Sequence, residues 1–258
     1  MISLKNSQEI EIMVEGGKKL ARILEELGKN CVAGMSAKEI DNLAARLFKE
    51  ENTKPAFLNY RPQGALRPFP ANVCISLNDM IVHGIPKKEV IFKEGDLVKI
   101  DAGLIYKNLY LDSAVTVGIG KISYKAQKLI KVTKEALRRA IDNCVPGKTL
   151  GDIGYAISSY VFKNKMDVAQ DLVGHGIGYH LHEDPVVYNI GRKGKGLKLE
   201  KGMAIAIEPM ICLGSGAIIE NNDESFSTLD KSLSAHFEHT VIITDGLPII
   251  TTDNNIWK

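Results

Sequence analysis

Residues 31–40 read CVAGMSAKEI, and residues 144–153 read CVPGKTLGDI. Each copy holds a glycine suited to leaving one helix (Gly34, Gly147), then a hydroxyl residue (Ser36, Thr149) and, three places on, an acid (Glu39, Asp152). That spacing is a capping box: the hydroxyl accepts from the amide of the third residue, whose carboxylate returns to the amide of the cap. Outward from the first copy, Asn6-x-x-Glu9 opens an earlier helix with Ile10, Met13, Val14, Gly17, Leu20, Ala21, Leu24 and Leu27 at helical spacing. A second helix follows Ser36, with Ile40, Leu43, Ala44, Leu47 and Phe48 on one face. Outward from the second copy, a helix is expected from about Ser123 to Cys144. Another follows Thr149, with Ile153, Ala156, Ile157, Tyr160 and Val161 on its apolar side.

The strand-like segments echo in the same order. Glu94-Gly95-Asp96…Ile100-Asp101 answers Lys201-Gly202-Met203…Ile207-Glu208, a turn feeding a strand that ends on a carboxylate. His83-Gly84-Ile85 answers His175-Gly176-Ile177, and both Asp112 and Glu238 start a β-branched run. The ordered pairs predict two related halves, about 1–120 and 121–258, in a single catalytic domain spanning 1–258. Two copies are too few for a solenoid, so the expected class is α+β, with helices covering a mainly antiparallel sheet.

Composition narrows the partners. With 258 residues, 45% hydrophobic, and a formal net charge of +2, the chain is an ordinary globular one with no charge excess for nucleic acid or membrane surfaces. No apolar run approaches a bilayer span, and the start MISLKNSQEIEIM carries no secretory signal pattern. Cys31, Cys74, Cys144 and Cys212 form no C-x-x-C pair and read as reduced, buried thiols, so the expected compartment is the cytoplasm.

Leu97–Ile105 and Leu109–Val117 predict a hairpin around Tyr106-Lys107-Asn108, which brings Asp101 and Asp112 close across the strands. Like charges facing one another destabilise a sheet, and Glu208 follows a strand apolar enough for the interior. One acid at a strand end is most simply a solvated one. Matched acids in both halves, joined by a glycine-flanked histidine in Gly174–Gly178, instead predict a metal site. Asp101, Asp112, Glu208 and Glu238 carry a formal charge of −4, which two divalent cations balance. One nitrogen among carboxylates suits Co, Mn, Fe(II) or Zn without choosing among them, and two such ions activating water imply hydrolysis. His83 and His182 accompany these segments and are candidate donors, whereas His180 and His239 read as structural.

In this order, CISLNDMIVHGIP (Cys74–Pro86), VKIDAG (Val98–Gly103), YLDSAVT (Tyr110–Thr116), GHGIG with HEDP (Gly174–Pro185), AIEPM (Ala206–Met210) and SLSAHFEHT (Ser232–Thr240) resemble the type I methionine aminopeptidases. The resemblance implies the pseudo-twofold "pita-bread" fold and two divalent metals on Asp101, Asp112, His175, Glu208 and Glu238, with Asp112 and Glu238 bridging. It implies removal of the initiator methionine from nascent polypeptide N-termini, mainly when the second residue is small, by a hydroxide shared between the metals. Glu208 would shuttle the proton, His182 stabilise the oxyanion, and His83 contact the substrate backbone. Cys74, Phe69 and Leu181 match positions of the methionine pocket. A monomer is the family's ordinary state.

Two departures stand out. His236 occupies the place of the usual glutamine, and Glu224 that of a frequent tryptophan; neither is expected to touch a ligand residue. The alternatives are an Xaa-Pro peptidase of the same fold and a non-catalytic binding protein on this scaffold. The first usually carries a separate N-terminal domain and the second usually loses ligands. Arg192–Lys201 is basic and glycine-rich. It suggests a ribosome contact through RNA phosphates, not sequence-specific nucleic-acid recognition, or else a solvated loop.

Overall fold

Helix starts fall where the sequence caps them. In this computed structural model, which describes residues 2–62 and 64–253, α1 (Ser7–Asn30), α2 (Ala37–Glu50) and α4 (Leu150–Lys163) each open on a complete capping box, at Asn6/Glu9, Ser36/Glu39 and Thr149/Asp152. α3 (Tyr124–Ile141) is capped by Ser123, whose hydroxyl accepts from the Ala126 amide at 3.2 Å. It ends three residues short of the expected Cys144, because a turn at Asp142–Cys144 intervenes.

The strands before α3 are β1 (Lys54–Pro55), β2 (Cys74–Leu77), β3 (Met80–Val82), β4 (Leu97–Tyr106) and β5 (Leu109–Gly118). After α4 come β6 (Asp167–Val168), β7 (Gly174–Gly176), β8 (Glu183–Val187), β9 (Ala204–Ile207), β10 (Met210–Cys212), β11 (Ile218–Glu220), β12 (Phe226–Thr228), β13 (Ser234–His236), β14 (Glu238–Ile242) and β15 (Ile249–Ile250). A nine-stranded sheet runs β1-β4-β5-β14-β9-β7-β8, with β2 on β4 and β15 on β14. Its pairings are antiparallel, and two three-stranded sheets flank it. The fold is thus the α+β arrangement the sequence implied.

β4 and β5 form the expected hairpin, but Tyr106 stays in the strand and the turn is only Lys107-Asn108, both with positive φ (46° and 65°). A two-residue turn of that hand matches the twist of the strands it joins. Side chains alternate faces along a strand, and directly opposed residues share a face. α1 covers the face of Leu104 and Leu111: a Cβ added at Gly16 would lie 2.7 Å from Leu111 Cδ1. That helix therefore leaves Asp101, Gly103, Asp112 and Ala114 pointing the other way.

Lys99 is the least expected residue of the core. It is fully buried, and its ammonium donates to the Asn78 carbonyl at 2.7 Å and the Ser234 carbonyl at 3.4 Å, tying the β2–β3 turn to β13. Burial pulls its pKa down to about 7. No described helix is long and apolar enough to cross a membrane.

Candidate metal centre and active site

Strand register alone gathers the five candidate ligands. Asp101 and Glu238 both lie opposite Ala114, one on each side of β5, so a methyl group is the spacer between two carboxylates. Asp112, two residues before Ala114, shares their face. On the next strand His239 pairs Ile207, which sets Glu208 beside Glu238, and His175 pairs Ala206, two residues from Glu208. Asp101, Asp112, His175, Glu208 and Glu238 therefore project from one face of four neighbouring strands and the end of a fifth. Side chains complete the short β5–β14 pairing. The Asp112 amide donates to Thr240 Oγ1 at 3.0 Å, Thr240 Oγ1 donates back to the Asp112 carbonyl at 2.8 Å, and Ser113 Oγ donates to the Glu238 carbonyl at 2.7 Å.

Four carboxylates this close cannot all ionise unaided. Burial pushes Asp101 up to about 7, and burial together with neighbouring carboxylates holds Asp112, Glu208 and Glu238 well above the ordinary range. Asp101 Oδ1 and Glu238 Oε1 are buried with no hydrogen-bond partner among the described residues. Orphaned carboxylate oxygens are costly, and a cation is the partner that satisfies them. His175 is prepared for the same role. Its Nδ1–H donates to the Gly176 carbonyl at 2.8 Å, leaving the Nε2 lone pair free. Burial holds its pKa at about 4, so it stays neutral. Donor atoms of Asp112, His175 and Glu238 lie within 4.8 Å of one another. By charge, orphaned atoms and donor type, the cluster fits divalent metal ions.

The cluster forms one wall of a cavity of about 680 Å³, whose lining includes all five candidate ligands together with His83, His182, Cys74, Phe69 and Leu181. The structure thus brings together every site residue anticipated from the sequence. His182 packs edge-on against His175, ring centroids 4.4 Å apart. Burial, with His175 and His83 nearby, keeps its pKa at about 3, so it can act as a neutral donor. His83 adopts a left-handed backbone (φ 61°) before Gly84, where an added Cβ would lie 2.2 Å from the Ile75 carbonyl oxygen; the tight turn delivers the imidazole to the cavity. His180 and His239 stay outside the lining, and His239 Nδ1 is held by Thr252 Oγ1 at 2.8 Å.

One expectation changes. His236 does approach a ligand: its Nε2 lies 3.6 Å from Glu208 Oε2, as His175 Nε2 lies 3.6 Å from Glu208 Oε1. The cause is register, since β13 pairs His236 with Met210, just beyond Glu208. Both nitrogens of this buried ring lack a hydrogen-bond partner among the described residues. Glu224 lines the cavity, and its Oε1 accepts from the Leu66 amide at 2.7 Å, joining Leu66 to the segment between β11 and β12. One residue went unnoticed in the sequence altogether: Tyr60, whose hydroxyl lies 2.7 Å from His182 Nδ1. No spacing pattern marks it. The basic stretch at residues 192–198 is almost wholly exposed, with Lys193 over the Tyr155 ring at 4.8 Å.

The chain is similar to known proteins in both sequence and fold. The profile of Metallopeptidase family M24 matches residues 11–245. A methionine aminopeptidase of Clostridium acetobutylicum is 42% identical over 253 residues, covering 98% of this chain and 99% of its own length. One from Aquifex aeolicus is 42% identical over 257 residues, with 98% and 99% covered. The crystal structure of a methionine aminopeptidase from Thermotoga maritima superposes with a TM-score of 0.93 at 40% identity, covering 98% of this chain and all of that one.

Proposed function

The chain belongs to the methionine aminopeptidases of metallopeptidase family M24, metal-dependent peptidases that remove N-terminal methionine, and on that premise we propose how it does so. Asp101, Asp112, His175, Glu208 and Glu238 would hold two divalent metal ions, with Asp112 and Glu238 serving both. One observation carries this reading: three buried carboxylates, the partly buried Glu208 and a neutral imidazole face one another, and two carboxylate oxygens lack a hydrogen-bond partner among the described residues. Cobalt, manganese, ferrous iron and zinc all suit that donor set. When bound, the ions supply Lewis acidity and offset the cluster's negative charge.

The chain's own residues do the rest. The centre would recognise the free N-terminal amine, which an internal peptide bond does not offer. Cys74, Phe69 and Leu181, with Phe57 beside them, give the cavity an apolar end for the methionine side chain, whose flexible thioether packs well against aromatic rings. His83 contacts the peptide backbone from the wall formed by β3 and its turn. His182 donates from Nε2 to the scissile carbonyl oxygen as negative charge develops there. Glu208 takes a proton from the attacking water at its carboxylate and returns it to the leaving amine as the scissile C–N bond breaks. The natural substrates are nascent chains with a small second residue, met in the cytoplasm by a monomer built as one domain of two related halves. The exposed stretch at residues 192–198 is suited to brushing ribosomal phosphates. Ribosome co-sedimentation unaltered by neutralising Lys193, Lys195 and Lys198 would remove that last point alone.

The deciding assay compares Met-Ala-Ser, Nα-acetyl-Met-Ala-Ser and an Ala-Pro-Ser peptide with metal-loaded protein. Release of methionine from the first only is expected. Turnover confined to the Xaa-Pro peptide would overturn the substrate assignment.

A further inference from the structure

The segment before the cavity rim is pinned in place before it reaches the site. The Asn59 amide donates to the Phe69 carbonyl at 2.9 Å, the Phe69 amide donates to the Tyr60 carbonyl at 2.8 Å, and the Phe57 and Phe69 rings meet edge to face. Tyr60 is thereby fixed at the cavity wall, half-buried, with its hydroxyl 2.7 Å from His182 Nδ1 and the two ring centroids 5.3 Å apart. A phenol has one proton to give. A phenol's ordinary pKa, about 10, keeps that proton on at neutral pH. A neutral imidazole carries its proton on one nitrogen only, and the partner of one nitrogen decides the state of the other.

We propose that Tyr60 is a positioning residue for the peptidase reaction: its hydroxyl donates to His182 Nδ1, which places the imidazole proton on Nε2 and aims it into the cavity. The inference deepens the role given above to His182 and rests on it. Without the phenol, Nδ1 can take the proton, and Nε2 then presents a lone pair to a carbonyl oxygen that needs a donor. The ring would also lose the contact that sets its angle. A hydroxyl 2.7 Å from Nδ1 is well inside hydrogen-bonding range; because the Nε2 proton it fixes is needed as charge develops on the carbonyl oxygen, its loss is felt in the transition state more than in ground-state binding.

The test combines a spectroscopic readout with a kinetic cycle, using the metal-loaded full chain. Nitrogen-15 NMR of histidine-labelled protein reads the tautomer directly. In the unsubstituted protein His182 is expected with protonated Nε2 and unprotonated Nδ1, and in Tyr60→Phe with a mixed population. Turnover of Met-Ala-Ser by Tyr60→Phe should fall about tenfold in kcat with little change in KM, the scale of one hydrogen bond. In a His182→Ala background the same substitution should cost nothing further, since residues acting as a unit are not additive. A His182 tautomer unchanged by Tyr60→Phe overturns the proposal. So does an equal loss in both backgrounds, which would place Tyr60's contribution elsewhere. The underlying reading fails separately: His182→Ala with full kcat would remove His182 from the chemistry, while the tautomer measurement would still report whether Tyr60 sets the proton.

Discussion

Cation binding to this centre must expel protons, and the structure says how steeply that should depend on pH. In the metal-free protein Asp101 titrates at about 7 because it is buried, and Asp112, Glu208 and Glu238 are raised by burial and by one another. All four must be ionised to ligate. The sign follows: raised acids hold protons below their folded pKa values, so affinity is suppressed at low pH and recovers as pH rises through them. His175, neutral down to about pH 4, adds nothing in this window. For Asp101 alone, the bound-proton fraction changes enough between pH 6 and pH 7 to raise affinity about fivefold, roughly 1 kcal/mol. Each of the other three acids still protonated across that interval adds up to about tenfold more. Calorimetric titration of chelator-stripped protein with manganese, in two buffers of different ionisation heat, measures affinity and released protons together. Asp101→Asn should lower the proton count, which ties the effect to this residue. Affinity independent of pH from 6 to 7.5, with no proton released, would refute the reasoning.

Other consequences concern packing and reactivity. Gly176→Ala would put a Cβ 2.1 Å from the Asp184 carbonyl oxygen, forcing β7 and β8 apart beside His175. Such overpacking costs about 1–3 kcal/mol, so the melting temperature should drop by roughly 2–12 °C; an unchanged melt would show that the strands part freely. His236→Leu removes two unpartnered buried nitrogens from beside Glu208. The metal-free protein should gain about 1 kcal/mol or more in stability while turnover falls, and a variant with neither change would return His236 to a bystander. The four cysteines are buried, with Cys31 and Cys212 pushed up to about 12 and Cys74 and Cys144 also raised. A thiol-exchange reagent at pH 8 should therefore label none in the folded protein and all four after denaturation.

Local signals in the sequence carried the framework. Asn6/Glu9, Ser36/Glu39 and Thr149/Asp152 fix their helix starts by hydrogen bonds within four residues, so no distant contact is needed to read them. The β4–β5 hairpin is legible for the same reason. The five candidate ligands were legible as chemistry, because acids in apolar strands demand a partner wherever the strands go. Their convergence was not. It depends on Ala114 standing between Asp101 and Glu238, a register joining strands more than a hundred residues apart. Tyr60 reaches His182 across a gap of 122 positions and His236 reaches Glu208 by the pairing of β13 with β10, so neither contact leaves a local trace. Lys99 is the sharpest case: a lysine in a strand reads as surface, and only two distant carbonyls make its burial tolerable.

The central claim is that Asp101, Asp112, His175, Glu208 and Glu238 hold the metal ions that the peptidase reaction requires. It is tested most directly by stripping the protein of metal, titrating it with cobalt, and recording bound equivalents alongside methionine released from Met-Ala-Ser. The account predicts no turnover when stripped, restoration on adding metal, saturation at two equivalents, and loss of both binding and turnover in Asp101→Ala and Glu238→Ala. Full turnover by stripped protein in excess chelator, or by either variant, would contradict it.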